Sequence, residues 1–434
     1  MTINLVTKYQ STPLKGVITI PADKSIAHRS LIIGSLTGGK IKISNYSSSA
    51  DCISTLNIIK NLGAEIEFLD EKTLLLDAKN CFMAPNTSLD CGNSGTSMRL
   101  LSGICAGQKF SSELIGDISL SRRPMARVIK PLELMGAKIF SNDNKAPLKF
   151  EPSNLCGIDY VSNIASAQVK SCILLAGLNA QGETSVVEPY LSRNHTELML
   201  KFFNADIKCV DNKTVIRKSN LEPKNLDVVG DISSASFFIV ATLLVPNSEI
   251  IIKNVGINQT RSGIIDVLFK MGANIEILDK KNVCMEDVAD IKIKYTENLK
   301  PVTIEGSIIP RLIDELPIIA VLLTQANGTS IVKDASDLRN KESDRIKLVV
   351  TQLKKMGCDI EETNDGFIIN GKSELKGECD FEIAHDHRLA MSLFVASLVT
   401  EKSSVINGFE WVNTSFPTFL NCMSDLGVNA WLKQ

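Results

Sequence analysis

LELMGAKIF at residues 132–140 and VLFKMGANIEI at 267–277 share one pattern: an amphipathic run closes on Gly-Ala, and a short alternating segment begins. The same pattern reads as IIKNLGAEIEF at 58–68, LKFFNADIKC at 200–209, QLKKMGCDIEE at 352–362 and CMSDLGVNAWL at 422–432. Its markers, Gly63, Gly136, Asn204, Gly272, Gly357 and Gly427, stand 73, 68, 68, 85 and 70 residues apart, so the chain repeats a unit of about 70 residues six times. Gly and Asn adopt the left-handed conformation at low cost, and each phrase therefore predicts a helix stopped by such a residue and followed by a strand.

A second helix is expected ahead of each phrase. These begin KSIAHRSLIIGSL at 24, NSGTSMRLLSGICAG at 93, SAQVKSCILLAGLNA at 166, SSASFFIVATLLV at 233, IDELPIIAVLLTQA at 313 and HDHRLAMSLFVASLV at 385. Each opens with a cap-forming Ser, Asn or Asp and then turns almost wholly apolar, the pattern of a helix buried within a layer. Free N–H groups and partial positive charge at such helix starts suit anions. Six units are too many for one core, so three plus three is the natural division. One domain is expected over residues 21–229 and the other over 1–20 with 230–434, with strand-like GVITI before Pro21 pairing into the later half.

At roughly 150 residues per domain, 434 residues also suggest two or three domains. Forty-seven Lys and Arg against 49 Asp and Glu give a net charge of −2, with no whole-chain drive toward nucleic acid or an acidic membrane. A hydrophobic fraction of 44% with 22% charged residues is that of an ordinary globular protein. The 11 cysteines are odd in number and hold no CxxC spacing, which predicts reduced thiols in a cytoplasmic protein. The first residues lack the basic and apolar regions of a secretory signal. The apolar run FFIVATLLV at 237–245 falls short of the ~20 residues a bilayer requires. The four His, at 28, 195, 385 and 387, have no metal-ligand spacing, and neither a metal nor another cofactor is expected.

Several stretches join cations to helix starts or glycine loops. PADKSIAHRSL at 21–31 sets Lys24, Ser25 and Arg29 around the first turns of an apolar helix, a plausible anion cradle. DCGNSGTSMRLL at 90–101 joins a Gly-Asn-Ser-Gly loop, which lets backbone N–H groups approach a ligand, to Arg99. SLSRRPM at 119–125, RNKESDRIK at 339–347 and HDHR at 385–388 add further cations, although charge runs of this kind are more often solvated faces. GSLTGGKI at 34–41 has the glycine and lysine spacing of a nucleotide-binding P-loop, but Ile41 stands where a hydroxyl would bind Mg²⁺, and the glycines follow a helix. That stretch reads as a turn.

In order, PADKSIAHRSL, GNSGTSMR, SRRP, SAQVKS, LIDELPI, NKESDR and HDHR resemble the 5-enolpyruvylshikimate-3-phosphate (EPSP) synthase family over essentially the whole chain. The resemblance implies an α/β fold of two similar domains, each of three βαβαββ repeats in an inside-out barrel arrangement, with the active site in the interdomain cleft. It implies transfer of the enolpyruvyl group of phosphoenolpyruvate to the 5-hydroxyl of shikimate 3-phosphate by a cytoplasmic monomer. By the same resemblance, Lys24, Ser25, Arg29, Ser166, Ala167, Gln168, Ser192, Arg193, Asp314 and Lys341 meet shikimate 3-phosphate. Lys24, Gly95, Arg123, Gln168, Arg345 and Arg388 meet phosphoenolpyruvate. Asp314 is the implied base for the attacking hydroxyl, and Glu342, with Lys24, serves proton traffic at the methylene carbon. Asn93, Thr96, Asp386 and His387 are expected as neighbours. Leu100 stands where the family often has Pro, and Thr414 where some members have Lys.

This chemistry accounts for the residue types. Two highly charged anions repel each other, so bringing them together takes several cations and oriented dipoles, and Arg grips carboxylate and phosphate bidentately. The related UDP-N-acetylglucosamine enolpyruvyl transferases carry a reactive cysteine in a Gly-rich loop; GDISLSRRPM at 116–125 holds none. A non-catalytic anion-binding repeat protein is the rival of another class, against which Lys24, Asp314 and Glu342 stand intact.

Overall fold

The computed structural model describes residues 3–79 and 82–433. The chain divides into two compact units: Ala22–Val229 with Asn282–Glu286, and Met1–Pro21 with Gly230–Lys281 and Asp287–Gln434. Within each unit, three four-stranded mixed sheets accompany three buried helices.

The second repeat shows how the sequence makes a unit. Strand Leu89–Asp90 leads into the buried helix Gly95–Cys105, which returns to strand Ser112–Ile115, parallel to the first. The outer helix Ala126–Leu134 then ends, Gly136 turns the chain at φ +97°, and Lys138–Asn142 and Lys145–Glu151 complete the sheet as an antiparallel hairpin. All six marker residues adopt the left-handed conformation: Gly63 at φ +105°, Asn204 at +63°, Gly272 at +74°, Gly357 at +82° and Gly427 at +85° repeat what Gly136 does. A Cβ is costly there, which is why Gly or Asn recurs.

Three sheets borrow a strand from elsewhere in the chain. Lys15–Thr19, just ahead of the first buried helix, pairs in parallel with Glu249–Gly256, so the expected pairing of the chain start into the later half is found. The place it leaves beside Lys40–Ser44 is taken by Leu226–Asp227. In the last sheet, Leu5–Thr7 lies antiparallel between Ser404–Asn407 and Trp431–Lys433. The segment Asn282–Glu286, the turn between the long strands Ile275–Val283 and Glu286–Lys294, groups with the unit opposite to most of its strands.

The buried helices start as expected in kind but not always at the expected residue. Side-chain caps come from Asp23, Ser94, Ser166, Asp231 and Asp386; the first helix begins at Lys24 as expected, and the fourth begins at Ile232, one residue ahead of the Ser read as its start. The fifth departs from the rule. Its helix Leu316–Leu323 has Glu315 at the cap position and no side-chain cap bond, because the Glu315 carboxylate is turned to Arg261. Every residue of Ile232–Leu244 and of Leu316–Leu323 is buried, as apolar character on all faces requires. In the other unit the Gly95–Cys105 and Ala167–Gly177 helices approach so closely that a Cβ on Gly103 would stand 2.2 Å from the Cys172 carbonyl oxygen. Glycine is what allows that contact.

Candidate active site

In the Ala22–Val229 unit, cations gather where buried helices begin. Lys24 is the first residue of its helix, and its ammonium lies 2.9 Å from Asp51 Oδ2. One turn on, Arg29 is 3% exposed and donates through Nε to Thr196 Oγ1 at 2.7 Å, through Nη2 to Ser171 Oγ at 2.9 Å and through Nη1 to the Ser25 carbonyl oxygen at 2.9 Å. Burial first, and the neighbouring Arg193 guanidinium next, pull its pKa from 12.5 to about 10, which leaves it charged at neutral pH. Arg193 Nη1 reaches Ser25 Oγ at 3.3 Å, and Ser192 Oγ donates to Glu188 Oε1 at 2.6 Å. The structure thus brings Ser25, Arg29, Ser192 and Arg193 together.

A second group forms around the glycine loop. Gln168 accepts from Arg99 Nη1 at 2.6 Å and donates to Thr96 Oγ1 at 3.0 Å, tying the start of the Ala167–Gly177 helix to that of Gly95–Cys105. Ser166 caps its helix, and Ala167 is the first helical residue. Arg123 Nη2 donates to Asn93 Oδ1 at 2.7 Å, and a Cβ on Gly95 would lie 3.1 Å from Arg99 Nη1 and 3.4 Å from Arg123 Nη1. Glycine therefore keeps both guanidinium groups close to the loop.

In the other unit, the run 339–347 proves not to be a merely solvated face. Arg345 is 2% exposed, with Nε 2.7 Å from Asp386 Oδ2 and Nη2 2.6 Å from Glu342 Oε2. Burial alone would lower the pKa of this guanidinium, but Asp386, Glu342 and Asp314 outweigh burial and raise it. Burial likewise works to raise the pKa of Asp386, and Arg345 overcomes it and holds that carboxyl below the usual range. Asp386 also caps the His387–Ser397 helix through the Arg388 and Leu389 N–H groups and accepts from Ser343 Oγ at 2.9 Å. Asp314 Oδ1 stands 3.4 Å from Lys341 Nζ and 3.6 Å from Arg345 Nη1, while its carbonyl oxygen accepts from Arg388 Nη1 at 3.2 Å. Asp314, Lys341, Glu342, Arg345 and Arg388 thus form one cluster. A carboxylate among cations, in the turn just ahead of a buried helix, can hold a hydroxyl and take its proton.

The chain matches the family profile for EPSP synthase (3-phosphoshikimate 1-carboxyvinyltransferase) over residues 8–423. The chain belongs to the EPSP synthase family. Among similar members, the 3-phosphoshikimate 1-carboxyvinyltransferase of Petrotoga mobilis is 48% identical over 425 residues, covering 95% of this chain and 98% of that protein. The one from Thermoanaerobacter sp. strain X514 is 50% identical over 409 residues, covering 94% and 96%. The EPSP synthase structure from Acinetobacter baumannii aligns over all of both chains at 39% identity with a TM-score of 0.90. The enolpyruvyl transferase NikO from Streptomyces tendae, 17% identical, shares the fold at a TM-score of 0.81, covering 100% of this chain and 99% of that one.

Two buried ion clusters beside the EPSP synthase motifs were not foreseen. Arg261 Nη1 lies 2.9 Å from both carboxylate oxygens of Glu315, the residue after Asp314 in the chain, and also meets Ser233 through Nη2. In the other unit, Lys170 pairs with Glu188 and Glu197. Single charged residues inside otherwise apolar helical runs, such as Lys170 in SAQVKSCILLAG, were the available signal.

Proposed function

We propose a division of labour among these residues for the family reaction, in which the carboxyvinyl group of phosphoenolpyruvate passes to the 5-hydroxyl of shikimate 3-phosphate and phosphate is released. Asp314 takes the hydroxyl proton as the oxygen attacks C2 of phosphoenolpyruvate, and Lys341 steadies the carboxylate. A proton delivered to C3, with Glu342 and Lys24 as the donors, gives a tetrahedral adduct. Loss of phosphate and of one C3 proton then restores the vinyl group. Ser25, Arg29, Ser166, Ala167, Gln168, Ser192 and Arg193 hold shikimate 3-phosphate. Lys24, Gly95, Arg123, Gln168, Arg345 and Arg388 hold phosphoenolpyruvate and balance its charge.

The observation that carries this reading is the setting of Asp314, whose carboxylate faces Lys341 and Arg345 while Arg388 holds its carbonyl. The ten free cysteines among the described residues support a reducing, cytoplasmic setting. No helix among the described residues is long and apolar enough to cross a membrane. The test is phosphate release from phosphoenolpyruvate with each acceptor in turn. Release with shikimate 3-phosphate and none with UDP-N-acetylglucosamine is expected; the reverse preference, or no release with either, contradicts the reading.

A further inference from the structure

Lys170 sits in the first turn of the Ala167–Gly177 helix with its side chain 2% exposed. Its ammonium lies 2.7 Å from Glu188 Oε2, 2.7 Å from Glu197 Oε1 and 3.3 Å from the Ser192 carbonyl oxygen. Glu188 in turn receives the Ser192 hydroxyl at 2.6 Å and the Ser192 backbone N–H at 3.3 Å. Every polar group of Ser192 is therefore tied to the Lys170–Glu188 pair. Residues 188–194 belong to no helix or strand, so no backbone ladder does this instead. Arg193 follows at once and reaches Ser25, and Thr196, one turn on, joins Arg29 to Ser171, the neighbour of Lys170. One ammonium stands against two carboxylates, and Glu197 Oε2 is buried with no hydrogen bond among the described residues. A buried charge cluster of this kind costs desolvation and is a poor device for stability alone.

We propose that Lys170 is a positioning residue: with Glu188 it fixes the 188–193 segment so that Ser192 and Arg193 are presented to shikimate 3-phosphate, and it touches no substrate itself. This rests on the assignment of Ser192 and Arg193 to that substrate, and it gives a role to Lys170, which lies in the SAQVKS motif but is not among the site residues that the family resemblance implies.

The test uses the full-length Lys170→Met/Glu197→Gln variant, which removes one charge of each sign and leaves the net charge of the triad unchanged. Calorimetry should show shikimate 3-phosphate binding weakened by about tenfold or more, the effect of losing a charge-assisted contact, with the KM for phosphoenolpyruvate within about twofold of the parent. Amide exchange of the unliganded variant should speed up by about tenfold at residues 189–193 and stay unchanged along 170–177. If that variant does not fold, Lys170→Arg, which keeps the charge but replaces a compact ammonium by a planar fork, should show the same split at about threefold. Parent-like affinity, or faster exchange spread equally over the helix, overturns the proposal. Parent protein that fails to bind shikimate 3-phosphate removes the functional assignment instead, and the ligand-free exchange comparison then decides whether Lys170 holds the segment.

Discussion

At the scale of single residues, the burial of charge and potential charge is what distinguishes the sites from the surface. His28 lies between Lys24 and Arg29 on one helix, fully buried, with Nδ1 2.7 Å from Thr55 Oγ1. Thr55 continues to Ser97 Oγ at 2.7 Å, and Ser97 to Ser94, the cap of the Gly95–Cys105 helix. A charged imidazole has no place in this chain of hydroxyls, and burial, only partly offset by Asp51, lowers its pKa from 6.5 to about 3. The sign of the consequence follows from proton counting. Between about pH 6.5 and pH 3 the unfolded state holds a proton at His28 that the folded state does not, so stability falls as pH falls through that window, by up to ~1.4 kcal/mol per unit. Denaturant titrations across this range should show the pH slope reduced by about one proton in His28→Gln. An identical slope in parent and variant would contradict the neutral buried histidine.

At the scale of elements, the repeat could be read because its signal is local: a left-handed stop after an amphipathic helix is encoded within ten or so residues, and all six recur in the structure. The apolar helices were legible for the same reason. The Lys24, Gly95 and Arg345 motifs could be found by resemblance, but their surroundings could not, because the partners lie far apart in sequence. Arg345 meets Asp386 across 41 positions and Arg261 meets Glu315 across 54. Nor could spacing reveal that Glu315 would forgo capping to pair with Arg261, or that Gly103 serves a helix contact. That contact gives a second prediction. In Gly103→Ala the new methyl collides with a backbone carbonyl oxygen that cannot rotate away, and overpacking of this kind costs about 1–3 kcal/mol. At ~2–4 °C per kcal/mol for a unit of this size, the first thermal transition should fall by several degrees. Because the same two helices hold Arg99 against Gln168, the KM for phosphoenolpyruvate should rise with it. An unaltered melting profile would show that the helices do not depend on glycine there.

At the scale of the whole molecule, the chain spends its charge unevenly. A net charge of −2 conceals cations concentrated at helix starts in both units, some of them held by carboxylates: Asp51 for Lys24, Glu342 and Asp386 for Arg345. Such arrangements keep cations oriented before any anion arrives, which is what a reaction between two mutually repelling anions needs. The central claim is that this charge serves carboxyvinyl transfer with Asp314 as the base. The most direct measurement compares parent and Asp314→Asn by phosphate release from phosphoenolpyruvate and shikimate 3-phosphate, with calorimetry of shikimate 3-phosphate on each. Turnover should fall by ~10²–10⁴ in the variant, the usual range for loss of a general base, while shikimate 3-phosphate still binds. Turnover near that of the parent, in a variant that still binds shikimate 3-phosphate, would contradict the account.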